Sequence, residues 1–102
     1  MMHLTFRKGD VPTPLILELG DIAGKVYPLT GCGVRWDMKL GDTTVVGRTL
    51  TIANGPTGEV TWNFLVGELD TTGVFDNDLV VASVGGTYTD SFLNFAWITV
   101  VK

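Results

Sequence analysis

The sequence predicts an all-β fold, and three observations predict it. Apolar and polar residues alternate with period two along most of the chain, as half-buried strands require. Turn signals break that alternation at intervals of roughly 8–12 residues. Glycine supplies 13 of the 102 residues, against a usual ~7%, while Val, Thr and aromatic residues are plentiful and the good helix formers Ala, Glu, Lys and Gln are scarce. Together these predict an antiparallel immunoglobulin-like β-sandwich of about seven strands, with a small β-barrel as the alternative.

The elements follow in chain order. Residues 3–8 read as a short first strand ended by Gly9-Asp10. Pro12 and Pro14 forbid a central-strand position, so the chain is expected to switch sheets or run along an edge there. Residues 14–19 then form a strand with Leu15, Leu17 and Leu19 on one face. Gly20-Asp21 and Ala23-Gly24-Lys25 are turn material. The clearest strand is residues 34–39, with Val34, Trp36 and Met38 on one face and Arg35, Asp37 and Lys39 on the other. Gly41-Asp42 turns the chain into residues 44–53, where Val46, Leu50 and Ile52 are apolar and Gly47 permits a bulge. Asn54-Gly55-Pro56-Thr57-Gly58 is the strongest turn signal, and residues 59–65 alternate again with Val60, Trp62 and Phe64 inward.

Residues 69–73 form a polar corner. In residues 74–82, Phe75, Asn77, Leu79 and Val81 point one way, with Asp76 and Asp78 outward. A buried Asn77 needs hydrogen-bond partners, which favours a bulge or an edge nearby. Gly85-Gly86 closes a hairpin and residues 87–94 are a mixed connection. The last strand, residues 95–101, turns inward either Ala96, Ile98 and Val100 or Phe95, Trp97 and Val101.

Length fits a single domain over residues 1–102, since two cores would each be too small. The net charge of −4 and the scattered cations, of which only Arg7-Lys8 are adjacent, argue against nucleic acid or an anionic membrane as partner. Cys32 is the one cysteine, so no internal disulfide is expected. The opening residues lack a signal-peptide apolar run, and no apolar stretch approaches the ~18 residues of a spanning helix. Synthesis in a reducing cytoplasm is expected.

Candidate chemistry is sparse. His3 is the only histidine, near a terminus, with no triad to join. Cys32 lies between two glycines with no helix N-terminus to activate it and no cysteine at metal-ligand spacing. Asp70, Asp76 and Asp78, with Asp90, are weak calcium candidates, since a calcium site draws clustered oxygens from neighbouring loops; the alternative for them is a solvated strand face. The glycines feed no helix and so form no phosphate loop. No cofactor and no catalytic residue is expected. Trp36 and Trp62 are core residues; Trp97 and Phe95 are candidates for an exposed aromatic patch that contacts a partner. Leu4 and Phe6 belong to a segment that would lend a strand to a neighbour.

The order of motifs resembles the N-terminal immunoglobulin-like domain family of bacteriophage baseplate upper proteins. The residues that carry the likeness are Phe6-Arg7-Lys8-Gly9-Asp10, the run from Tyr27-Pro28-Leu29-Thr30-Gly31 through Val34-Arg35-Trp36-Asp37-Met38-Lys39, then Pro56-Thr57-Gly58-Glu59-Val60-Thr61-Trp62, Asp70-Thr71-Thr72-Gly73-Val74-Phe75, and the closing Trp97-Ile98-Thr99-Val100. Pro28 stands where the family often has aspartate. The resemblance implies a non-enzymatic structural protein of a phage virion, in the tail or baseplate. Its expected partners are other virion proteins and further copies of itself, in a homo-oligomer. A capsid decoration protein and a carbohydrate- or receptor-binding module, the latter using Trp97, Tyr88 and Asp90, are the alternatives.

Overall fold

The computed structural model describes residues 2–20, 27–83 and 89–102. The described residues form seven strands: β1 (Met2–Arg7), β2 (Leu15–Glu18), β3 (Gly33–Leu40), β4 (Thr43–Asn54), β5 (Glu59–Trp62), β6 (Gly73–Ala82) and β7 (Thr89–Val101). They lie in one sheet of order β1-β7-β6-β3-β4-β5-β2 that curls into a half-barrel. The all-β expectation of about seven strands holds. The sheet is nevertheless continuous and mixed, nearer the barrel alternative than two detached antiparallel sheets.

The cause of the continuity is β4. Its first half pairs with β3 and its second half with β5, so twelve residues run through both layers. Parallel pairing enters at one edge, where β1 lies alongside β7; the other pairs are antiparallel. The segment holding Pro12 and Pro14 carries the chain from β1, at one end of the sheet, to β2, at the other. That leaves β1 to be covered by the last strand.

The faces follow the period-two pattern. Val34, Trp36 and Met38 are buried, as are Val60, Trp62 and Phe64, and Leu17 and Leu19. On β7 the inner set is Ala96, Ile98 and Val100. Where the layers meet, the Trp36 ring packs edge-on against Trp62 and Phe64, each with centroids 5.6 Å apart. Phe6 of β1 reaches Phe64 at 5.4 Å.

Asn77 is fully buried and fully employed. The Trp36 indole N–H donates to its Oδ1 at 2.9 Å, and its Nδ2 donates to the carbonyls of Phe75 (3.2 Å) and Ala96 (3.1 Å). The bulge expected beside it is present: Asn77 faces Ala96 but Leu79 faces Phe92, so residues 93–95 of β7 loop out opposite Asp78 alone. Asn94 takes a positive φ of 51° there, a conformation that asparagine tolerates better than most residues. β7 therefore begins at Thr89, where the sequence suggested a connection through Asn94.

Gly47 does not bulge. It sits in register opposite Asp37, and the irregularities of β4 fall one to two residues before it and near Ala53. Its missing side chain leaves room for Arg35 instead, because a Cβ here would lie 2.5 Å from Arg35 Nη2. Gly58 ends the β4–β5 turn at φ +69°, and a Cβ would stand 2.5 Å from the Tyr27 carbonyl oxygen. The expected turn at Ala23-Gly24-Lys25 and the Gly85-Gly86 hairpin lie outside the described residues.

Two predictions follow from the packing. Trp36→Phe strands the buried Asn77 Oδ1, whereas the Trp62 indole N–H has no hydrogen-bond partner to lose. Urea denaturation should show Trp36→Phe more destabilising than Trp62→Phe by about 1–2 kcal/mol; equal losses would contradict the assigned network. Gly58→Ala combines a left-handed φ with a backbone clash. It should cost about 3 kcal/mol, against about 1 kcal/mol for Gly41→Ala, which shares the positive φ but has open space around its Cα.

Candidate functional site

Alternation along each strand divides the sheet into an apolar inner face and an outer face that solvent reaches. Across the outer face, His3, Trp97, Asp76 and Lys39 stand in register on β1, β7, β6 and β3. His3 stacks on Trp97 with ring centroids 6.3 Å apart and planes 17° from parallel. Trp97 is half-buried on this face.

Phe95 does not share it. The bulge turns its ring inward against Trp62, 5.0 Å away, because Asn94 shifts the alternation by one residue. The expected Phe95–Trp97 patch is thereby split between two faces. Leu4 and Phe6 pack against the core of their own chain, and β1 pairs with its own β7.

The acidic candidates are also dispersed. Asp78, expected outward and solvated, is buried under the β7 bulge. One carboxylate oxygen accepts the Asn94 backbone N–H at 2.7 Å and the other meets Lys39 Nζ at 2.6 Å. Asp90 accepts a hydrogen bond from the Tyr27 hydroxyl. Asp70 lies beside Gly9 and Gly67, in a different part of the fold from Asp78. Among the described residues no three His, Cys, Asp or Glu side chains stand close enough to hold a metal ion, so Asp70, Asp76 and Asp78 do not assemble a calcium site. Cys32 is half-buried, its Sγ 3.9 Å from the Thr30 carbonyl. Tyr88 lies outside the described residues.

Two features escaped the sequence reading. Arg48 occupies an inward position of β4 between Val46 and Leu50. Its guanidinium lies 5.0 Å from the Trp36 ring centroid and grips Glu68 at 2.6 and 2.8 Å. It also donates to the Asn63 carbonyl at 2.5 Å, while Glu68 accepts the Leu65 N–H. This clamp fixes the turn after β5 and holds Leu65 and Val66 out in solvent. An inward arginine among aliphatic residues was the available signal.

The second feature is the pair of open edges. β1 and β2 end the sheet, and each is paired on one side only. Arg7, Lys8 and Glu18 at these edges are exposed, Glu59 is half-buried opposite Glu18, and none of the four joins an ion pair. No protein-family model matches the sequence, and no curated protein matches it.

The Lys39–Asp78 pair has a pH signature. Burial alone would raise the Asp78 carboxyl, but its hydrogen bonds to Lys39 and to the Asn94 N–H, with the Lys39 charge, hold it below its ordinary 3.8. The Asp78 hydrogen bond and charge raise Lys39 above its ordinary 10.5. The Asp78 contribution to stability is thus complete above 3.8 and lost as pH falls through its folded value; that of Lys39 is complete below 10.5 and lost as pH rises. The gap in urea midpoint between wild type and Asp78→Asn should be widest near neutrality and narrow below 3.8. A gap that stays constant into acid would refute the pairing.

Proposed function

We propose that the protein is a non-enzymatic structural component of a bacteriophage virion, in the tail or baseplate, acting through protein–protein contacts in an oligomeric assembly. The single observation that carries this reading is the geometry of the sheet: a curled, stiff scaffold ends in two strands with unpaired outer backbone. Strand edges of that kind accept further strands by main-chain hydrogen bonding. The ordered motifs from Phe6-Arg7-Lys8-Gly9-Asp10 to Trp97-Ile98-Thr99-Val100 support the same reading through their resemblance to the baseplate family. Synthesis in the host cytoplasm followed by incorporation into the particle fits a chain whose lone cysteine is unpaired.

The outer-face residues then become contact candidates, with Trp97 and its stacked partner His3 foremost. Leu4 and Phe6 contribute indirectly, by seating β1 at the edge. Immunogold labelling of phage particles from the source culture tests the proposal. Gold at the tail end is expected. Gold over the head would replace tail by capsid decoration, and accessible particles without gold would overturn the virion role. In that last case a glycan array read with wild type and Trp97→Ala would take up the carbohydrate alternative.

A further inference from the structure

We infer that the two open edges are complementary to each other, so that β1 of one copy docks on β2 of the next. The charge distribution points there. β1 and the residue after it carry His3, Arg7 and Lys8 and no acid; the nearby Asp10 carboxylate is turned back onto the Arg7 backbone N–H at 2.9 Å. The β2 edge carries Glu18 and, directly across the ladder on β5, Glu59. Two carboxylates facing each other across a strand pair repel, and within the chain no cation is paired with either. A cation on a neighbouring copy would relieve them.

The side-chain alternation also matches. In β1, Leu4 and Phe6 face the core while Thr5 and Arg7 face out; in β2, Leu15 and Leu17 face the core while Ile16 and Glu18 face out. A parallel ladder setting Leu4 to Arg7 beside Leu15 to Glu18 keeps apolar residues together on the inner face. It puts Thr5 beside Ile16, which is 58% exposed in the single chain, and Arg7 beside Glu18. A register shifted by one residue would put Arg7 or Glu18 against the core face.

The contact is head-to-tail. It joins two different edges, so each copy keeps one of each free and the assembly closes into a ring or grows as a filament. This inference deepens the structural role proposed above and rests on it for its biological setting, while its physical content concerns the purified chain alone.

Sedimentation velocity over a concentration series, at low and high salt, tests it with wild type, Arg7→Glu, Glu18→Arg and the double variant. Wild type should associate, more weakly at high salt. Each single reversal should weaken association by about tenfold. The double variant, and an equimolar mixture of the two single variants, should regain it. Both residues are exposed, and circular dichroism verifies that each variant keeps the fold. A wild type that stays monomeric, single reversals that associate like wild type, or a double variant without rescue would each overturn the inference. Failure here with gold on particles would remove only the edge contact; association without gold would remove only the virion role.

Discussion

Trp36 holds the two arms of the curled sheet together. Its indole meets Trp62 and Phe64 from the other layer, and the Arg48 guanidinium packs over its ring. Its N–H ends on Asn77, which in turn ties β6 to β7 through the Ala96 carbonyl. An apolar residue here would supply burial but no orientation. The indole supplies both, since its one polar atom has one acceptor in a buried site, and satisfied buried polar groups select a single packing. The cation over the ring carries its own counter-charge: Arg48 is half-buried, and Glu68 meets it with two parallel hydrogen bonds. β3, β4, β5, β6 and the turn after β5 are thus registered around one side chain.

From that constraint the rest of the shape follows. β4 must run through both layers to place Arg48 against Trp36 and its later residues against β5, so the layers share a strand on one side. On the other side nothing among the described residues joins β1 to β2, and the sheet stays open. A closed barrel has no edges to manage. This one has two, and both carry the marks of managed edges. β2 is four residues long and preceded by Pro12 and Pro14; β1 ends in Arg7-Lys8.

What the sequence made legible, and what it did not, divides along the same physical line. Strand faces were legible because the inner positions of β3, β5 and β6 obey a local period-two rule that needs no partner. Even Asn77 was readable, as an inward polar residue that demanded a nearby irregularity. Pairing partners were not legible, because the parallel contact of β1 with β7 joins the two ends of the chain. The run Phe92-Leu93-Asn94-Phe95 breaks alternation and carries the bulge, yet only the structure shows that it buries Asp78 and turns Phe95 away from Trp97. The edge charges were invisible for the same reason: Arg7 and Glu18 read as ordinary solvated residues until the strand order places them at opposite ends of one sheet.

Protection and recognition at those edges are one mechanism seen against different partners. A cationic edge repels another copy of itself, and an acidic edge does likewise, so pairings of β1 with β1 or β2 with β2 are disfavoured by like charge. The mixed pairing is the one that charge leaves open, and the alternation of Leu4, Phe6, Leu15 and Leu17 then restricts its register. An edge guarded only by proline or brevity would exclude every neighbour equally. An edge guarded by charge excludes all but its complement, which suits a small, stiff scaffold whose role is ordered assembly.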